Sequence, residues 1–223
     1  MSYGIDEIYE DMKKAIINLD LLPGTKVSEE FLTERYHISR TPIRSVIARL
    51  EKDNLLIVRP KQGTYISRIN MDTISDSLTI RKIIESHVLN TLCGKLDSSQ
   101  LEELQSIIDE QEKIIKMEPS IEKSKAFFHN DNRFHATLFK FASMEGIWKI
   151  IHTNAINLNR ARIMANLRET TQVNIIYNHH ELMLKALREN RKDRLIELFI
   201  EHIDGGFEGI NDVITKYKDY FVQ

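Results

Sequence analysis

The chain has 223 residues, of which 42% are apolar and 29% are charged, a composition that predicts a soluble globular protein. Its 8 glycines and 4 prolines are too few for a multi-strand β-sandwich and favour long helices. The single cysteine excludes an internal disulfide and favours a reducing compartment. Because no apolar run approaches the roughly 18 residues of a membrane span, and the acidic N-terminal stretch is unlike a signal peptide, we expect a cytoplasmic protein with no membrane partner.

Charge is distributed unevenly along the chain, although the net charge is only −2. Residues 35–70 hold 8 Lys/Arg and 2 Asp/Glu, a local charge of +6, whereas residues 1–34 carry −5 and the remainder carries −3. A basic block in a nearly neutral protein is typical of a localised surface that binds an anionic partner such as nucleic acid. The alternative is an ordinary solvated face.

Helical spacing of apolar residues predicts a first helix that begins near Ile5 and is closed by the turn Leu22-Pro23-Gly24. Ser28 is a good N-cap for a second, short helix. Leu32 and Tyr36 are the apolar contacts that we expect this second helix to make.

The stretch SRTPIR predicts the start of a third helix, with a proline in its first turn, where no backbone donor is lost. Ser39 or Thr41 caps this helix. Arg40 and Arg44 are four residues apart and therefore share one face near its N-terminus, away from the apolar stripe, and Arg49 extends the polar surface. A helix N-terminus with two arginines suits a phosphate backbone and guanine edges.

The stretch LLIVRPKQGTYIS reads as two β-rich runs joined by a turn, a hairpin with Lys61 and Gln62 at its tip. A helix, a helix-turn-helix and then a hairpin is the order of a winged helix-turn-helix. The alternative is an unrelated three-helix domain with a surface hairpin.

The segment LLPGTKVSEEFLTERYHISRTPIRSVIARLEKDNLLIVRPKQGTYIS resembles the DNA-binding domain of GntR-superfamily transcriptional regulators. The resemblance implies that residues 1–68 are a winged helix-turn-helix domain that binds a double-stranded DNA operator. It implies operator base or phosphate contacts from Arg40, Thr41 and Arg44, and minor-groove contacts from Lys61, Gln62 and Gly63. One position departs from the family pattern, because Glu30 stands where many members have an arginine.

The remaining residues predict an antiparallel bundle of about six helices, with no strand signal, so that the fold class is mainly α. The expected helices span roughly 72–95, 98–117, 121–143, 145–168, 171–190 and 191–218.

Histidines and one carboxylate are candidates for a metal site in this bundle. Asp131 and His135 are four apart in DNRFH and project from one helix face, while His180 and His202 lie on two further helices. These four side chains suit a divalent ion. The alternative is buried histidines bonded to backbone carbonyls, which is the commoner case.

The segments DNRFHATLFKFA, HHELMLKALREN and LIELFIEH make residues 69–223 similar to the FCD ligand-binding domain of the FadR-like branch. The resemblance implies a zinc, nickel or manganese-like ion on Asp131, His135, His180 and His202, with a small carboxylate effector beside it. His179 is the rival of His180 for the third position.

Arginines are the candidates for binding the effector, because a guanidinium fits a carboxylate bidentately. Arg81 lies where the family has a pocket arginine, and the alternative for it is an ion pair with Glu85. Arg160 and Arg162 are similar candidates, and Asn157 is a candidate for polar pocket lining.

The sequence thus predicts a ligand-responsive transcriptional regulator, a repressor and homodimer rather than an enzyme. A small organic acid would shift the helices and, through the linker near Arg68 to Asp72, change the affinity for the operator. The alternative is a metal-dependent hydrolase or a structural metal-binding bundle, although no HExxH pattern occurs.

Overall fold

The computed structural model describes residues 4–166, 171–207 and 210–222. The contacts between residues divide the chain into two compact units. The first unit contains the residues up to Met71 and the segment from Ile214 onward, and the second unit is Asp72–Val213. From the sequence, all residues from 69 onward were expected in the helical domain, so the packing of the segment from Ile214 onward with the first unit was not predicted. The mainly α fold class, with a winged helix-turn-helix followed by a helical domain, is confirmed.

The first unit has the winged helix-turn-helix order. Its elements are α1 (Ile5–Ile17), β1 (Lys26–Val27), α2 (Glu29–Tyr36), α3 (Arg40–Lys52), β2 (Leu56–Arg59) and β3 (Gly63–Ile66). The predicted hairpin is therefore confirmed as β2 and β3, which pair antiparallel. The two-residue strand β1 adds a third member on the other side of β3, giving the order β1-β3-β2.

Capping by a side chain explains where α2 begins, and a buried apolar stripe explains how α3 packs. The Ser28 hydroxyl accepts a hydrogen bond from the backbone N–H of Phe31 at 3.0 Å and starts α2, which ends where His37 adopts a left-handed conformation with φ of 54°. On α3, the predicted stripe is buried, and it packs against α1. The members of the stripe are Ile43, Val46, Ile47 and Leu50.

The turn of the wing requires glycine at position 63. Gly63 has φ of +121°, and a Cβ there would lie 2.5 Å from Cε of Lys26. The lysine side chain is flexible and can move, so the backbone conformation is the stricter requirement.

Gly63→Ala is expected to destabilise the first unit by roughly 1–3 kcal/mol, because an L side chain is strained at this φ. Thermal unfolding with an ellipticity readout would measure the loss. Gly146→Ala is the matched control, since a Cβ at Gly146 meets no atom within 4 Å and the position is helical. Equal melting temperatures for the two variants would contradict the requirement.

The C-terminal segment is paired with the end of the winged domain. The backbone N–H of Ile69 donates to the carbonyl of Tyr220 at 2.8 Å, and that of Val222 donates to the carbonyl of Ile69 at 2.9 Å. Ile69 and Phe221 form a parallel bridge, and both side chains are buried. The first unit is therefore assembled from two separate stretches of the chain.

The regular secondary structure described for the second unit is helical throughout. Its elements are α4 (Met71–Leu92), α5 (Ser98–Ile115), α6 (Ile121–Phe141), α7 (Glu145–Asn154), α8 (Ile156–Ala165), α9 (Thr171–Arg188), α10 (Lys192–Gly205) and α11 (Ile210–Lys216). Helix α4 begins one residue before the boundary of the unit, and α11 continues past Val213 into the segment assigned to the first unit. Helix α9 packs against α10 and α5, and α5 packs against α6. Their shared core includes Leu104, Ile108, Phe134, Met183 and Phe199.

Two of the predicted helices are each divided in the structure. The one expected over 145–168 breaks at Ala155, between α7 and α8, and its predicted end at 168 lies outside the described residues. Asn154 donates to the carbonyl of Ile150 at 2.7 Å and Asn159 donates to that of His152 at 3.2 Å, so side-chain amides replace helical partners around the break. The one expected over 191–218 divides after Gly205, where α10 ends.

Within the described ranges, every helix is too short or too polar to cross a lipid bilayer.

Candidate functional site

The predicted DNA-reading residues at the start of α3 are on the surface. Arg40, Thr41 and Arg44 are all exposed in the first turns of this helix. The Nε of Arg44 donates to both carboxylate oxygens of Glu29, at 3.0 Å and 3.1 Å. The carboxylate that contacts Arg44 thus belongs to Glu29 on α2, which adjoins Glu30, the position that departs from the family pattern.

Arg49, which the sequence also offered for DNA binding, has partners on α1. Its guanidinium lies 4.0 Å from the ring centroid of Tyr9, and its Nη1 is 2.5 Å from a carboxylate oxygen of Asp6. The Tyr9 hydroxyl in turn donates to Asp53 just after α3. This arrangement gives Arg49 a role in holding α1 against α3.

The wing presents its predicted residues at the tip. Lys61 and Gln62 are exposed between β2 and β3, and Lys61 takes a left-handed conformation with φ of 60°. The Tyr65 hydroxyl donates to the carbonyl of Gln62 at 3.2 Å and steadies the turn.

The four predicted metal ligands come together in the second unit. Asp131 and His135 project from α6, His180 from α9 and His202 from α10, and all four are buried. Each offers one ligand atom, and these atoms lie within 4.8 Å of one another. His179, the rival of His180, is only half-buried and is not a member of this cluster.

Distances within the cluster match the size of a coordination sphere. The Nε2 atoms of His135 and His202 are 3.1 Å apart, and Oδ1 of Asp131 lies 3.6 Å from Nε2 of His180 and 3.9 Å from Nε2 of His202. Ligands of a tetrahedral ion with bonds of about 2.1 Å are separated by about 3.4 Å. The cluster therefore needs only small adjustments to hold a divalent ion.

Two further buried side chains direct the imidazole nitrogens inward. Nδ1 of His180 is 2.8 Å from Oε1 of Gln111, and Nδ1 of His135 is 2.7 Å from Oε2 of Glu85. Oε1 of Gln111 is placed to accept from Nδ1 of His180, whereas Glu85 is in close charge contact with Nδ1 of His135 at an angle outside hydrogen-bond geometry. An acceptor oxygen beside either Nδ1 favours the tautomer with its proton there, which leaves Nε2 bare. Hydrogen bonding of the outer nitrogen to a carboxylate or carbonyl oxygen is typical of metal-bound histidine.

Unsatisfied polar atoms support the same conclusion. Nε2 of His180 is buried and has no hydrogen-bond partner among the described residues. The ring of Phe134 stacks on His180 with centroids 4.2 Å apart and keeps water from that face. A buried acceptor without a donor is costly, and a cation supplies the missing partner, so these residues fit a divalent ion.

Electrostatics keep the ligand atoms in the forms that a metal requires. Burial lowers the pKa of His180 to about 3, against the opposing charge of Asp131, so its imidazole is neutral. Burial raises the pKa of Asp131, but the charges around it, of which that of Arg162 contributes most, together outweigh burial and bring this pKa to about 2. A neutral imidazole and an ionised carboxylate are both ready to bind without losing a proton.

A small cleft, open to solvent, reaches this cluster from the surface. Its lining contains Asp131 and His202 from the cluster, the guanidinium-bearing side chains of Arg81 and Arg162, and apolar residues such as Phe127. The cleft therefore combines two cations with the edge of the candidate metal centre.

Both cleft arginines have carboxylate partners. Nε of Arg81 lies 2.5 Å from Oε1 of Glu85, so the ion pair that the sequence offered as an alternative is present, although Arg81 also faces the cleft. Arg162 donates to Oδ2 of Asp131 and, at 2.8 Å, to the side chain of Asn132.

The other two predicted effector residues lie elsewhere. Arg160 donates to the side-chain oxygen of Asn157 at 2.7 Å, and Asn157 donates to the hydroxyl of Thr73 at 2.8 Å. Neither Arg160 nor Asn157 lines the cleft. Burial lowers the pKa of Arg160 to about 10, and the hydrogen bond of Asn157 to Thr73 ties α8 to the start of α4.

Three residues around this centre were missed or given too little weight in the sequence. Glu85 was considered only as a partner of Arg81, and Gln111 was not considered. The sequence offered Arg160 and Arg162 as equivalent candidates for binding the effector, whereas in the structure only Arg162 of these two lines the cleft. The spacing of Arg81 and Glu85 by four residues was the available signal, whereas the contacts of Gln111 and Arg162 with α9 and α6 have no signature in sequence.

Comparison with known protein families accounts for most of the chain. Residues 5–66 match the family described as bacterial regulatory proteins, gntR family, and residues 76–205 match the FCD domain. The second match alone covers more than half of the 223 residues.

Curated relatives extend over nearly the full length. The HTH-type transcriptional repressor RspR of Escherichia coli (strain K12) is 24% identical over 215 residues, which cover 96% of this chain and 92% of that protein. The gluconate operon transcriptional repressor of Bacillus subtilis (strain 168) is 24% identical over 221 residues, covering 96% and 85%. These relatives are transcriptional regulators and not enzymes, as the sequence predicted.

Solved structures share the fold. Escherichia coli McbR/YncC superposes with a TM-score of 0.72 at 18% identity, covering 97% of this chain and 100% of that one. A GntR-type regulator of Rhodococcus sp. RHA1 gives a TM-score of 0.71 at 16% identity, covering 96% and 98%.

Proposed function

Because the chain belongs to the gntR family of bacterial regulatory proteins and carries an FCD domain, we propose that it is a repressor whose affinity for its DNA operator depends on a divalent metal ion and a small organic acid. The observation that carries the proposal is the cleft in which Arg81 and Arg162 face the edge of the Asp131 and His202 cluster.

The metal part of the proposal is supported by the donor set. One carboxylate and three imidazoles, all buried and all directed to one point, are ligands of zinc, nickel or manganese-like ions. Such an ion would supply a fixed positive charge at the inner end of the cleft.

The organic-acid part is supported by a balance of charge. Arg81 and Arg162 carry two positive charges, and Glu85 and Asp131 carry two negative charges, so these four side chains sum to zero. A divalent ion on neutral histidines would leave this buried region with an excess of +2. A monocarboxylate in the cleft offsets half of that excess and a dicarboxylate offsets all of it, and we assign the contacts of the acid to Arg81 and Arg162 in place of Arg160 and Asn157.

DNA reading is proposed for the α3 face and the wing. Arg40, Thr41 and Arg44 would contact bases or phosphates in the major groove, and the tip residues Lys61 and Gln62 would enter the minor groove. One winged domain covers a half-site, so we also propose a homodimer that reads two related half-sites.

Capture of genomic DNA fragments by the purified, zinc-loaded protein tests the regulator directly. A short palindrome enriched by the wild type, and not by the Arg40→Ala, Arg44→Ala variant, is the expected result. Equal enrichment by both proteins would contradict the assignment of the reading face.

A panel of small mono- and dicarboxylates tested on that palindrome addresses the cleft. We expect at least one of them to change operator affinity in the wild type and in Arg160→Gln, but not in Arg162→Gln. This pair is matched, because the two arginines are neighbours on α8 and differ in facing the cleft. A response that survives in Arg162→Gln and is lost in Arg160→Gln would reverse the assignment.

A further inference from the structure

A line of three buried side chains joins the cleft to the metal cluster. Arg81 lies on α4 with Nε 2.5 Å from Oε1 of Glu85, and Oε2 of Glu85 lies 2.7 Å from Nδ1 of His135. Arg81, Glu85 and His135 are 6%, 2% and 0% exposed, so water does not compete for these contacts. Oε2 of Glu85 also accepts from Nη2 of Arg81, at 3.4 Å, so this oxygen faces both the arginine and the imidazole.

The two supports of the cluster differ in charge. Gln111 supports His180 with a neutral amide oxygen, whereas Glu85 supports His135 with a carboxylate. A carboxylate on the outer nitrogen raises the basicity of the inner one and makes it a stronger ligand. Arg81 keeps that carboxylate ionised in a buried place, where an unpaired charge would be unfavourable.

We propose that Glu85 is a positioning residue that holds the proton of His135 on Nδ1 and thereby sets the metal affinity of the cluster, and that Arg81 belongs to this support as well as to the cleft. This inference rests on the proposed function, because it assumes that the cluster binds a metal. It adds a chemical connection between the carboxylate-binding arginine and a ligand of the ion.

The connection has a thermodynamic consequence. A carboxylate that draws Arg81 away from Glu85 changes the charge felt by His135, and so changes the affinity for the metal. By linkage, the metal changes the affinity for the carboxylate by the same factor.

Glu85→Gln tests the inference, with zinc affinity measured by competition against a chromophoric chelator. The amide keeps the size and an acceptor oxygen but removes the charge, and we expect the dissociation constant for zinc to rise by roughly 10–100-fold. Glu112→Gln is the control, since Glu112 is a surface residue on α5 that pairs with Lys116, and its loss removes the same charge. The control is expected to bind zinc like the wild type.

Two readouts separate positioning from a merely structural role. Cobalt absorption should show a shifted visible band in Glu85→Gln, which a change in stability alone would not produce. Long-range proton–nitrogen NMR of the metal-free wild type at mildly alkaline pH should show His135 as the Nδ1–H tautomer. This second measurement uses no variant, so it does not depend on whether Glu85→Gln folds.

The outcomes distinguish this inference from the proposed function. A wild-type protein that binds no metal would overturn both. Zinc binding by the wild type with an equal affinity in Glu85→Gln, or an Nε2–H tautomer at His135, would overturn the role of Glu85 and leave the metal site intact.

Discussion

His180→Ala, His202→Ala is expected to abolish stoichiometric binding of a divalent ion while leaving the helical fold in place. The two histidines come from α9 and α10, so the variant would keep only Asp131 and His135, which share one helix. Two ligands on one helix do not enclose an ion. The loss of affinity should exceed by far the roughly 10–100-fold that removal of an outer partner costs.

Mass spectrometric metal content after dialysis is the measurement, with circular dichroism to verify the fold. His179→Ala is the matched control, because His179 adjoins His180 but lies outside the cluster, and it should retain one metal per chain. Stoichiometric metal in the double variant would show that the ligands were assigned wrongly. Loss of metal in His179→Ala but not in His180→Ala would favour the rival histidine.

Arg44→Ala is expected to cost roughly 1–3 kcal/mol of operator affinity, a loss of about 5- to 150-fold, from one good base or phosphate contact. In the protein without DNA, Arg44 pairs with Glu29, but this pair is exposed on the arginine side and is therefore worth little. Breaking the pair of Arg44 with Glu29 on binding DNA therefore costs little free energy. Most of the free energy of the new contact between Arg44 and DNA then contributes to the operator affinity.

Titration of the selected palindrome at fixed salt, by fluorescence anisotropy, measures this loss. Glu29→Gln serves as the counterpart, because it removes the competitor of Arg44 and an anion near the DNA, and it should bind more tightly than the wild type. Arg44→Ala binding as tightly as the wild type would remove the α3 face from the proposal. Weaker binding by Glu29→Gln would show that Glu29 positions the arginine.

Much of the site was predictable because its residues lie on strongly amphipathic helices. The α3 stripe places Ile43 and Leu50 inside and therefore Arg40 and Arg44 outside. Likewise, the spacing of Asp131 and His135 by four residues places both on the inner face of α6.

Where a helix is buried on nearly all sides, sequence periodicity carries no such information. Helix α8 is of this kind, since residues from Leu158 to Ala165 are almost all buried. Its pattern gave no means of deciding whether Arg160 or Arg162 faces the cleft. Strand β1 was missed for a different reason, because two residues are too few for an alternating pattern.

The pairing of Ile69 with Phe221 makes the winged domain discontinuous in sequence. About 150 residues separate the two strands of this bridge, and closing so long a flexible loop would cost roughly 4 kcal/mol of chain entropy, from 1.5RT ln n. A folded helical unit has already lost that entropy, so its folding makes the bridge easier to close. Whatever stabilises the helical unit therefore also favours a complete winged domain, and during synthesis the ribosome would release the last piece of that domain only after the whole helical unit.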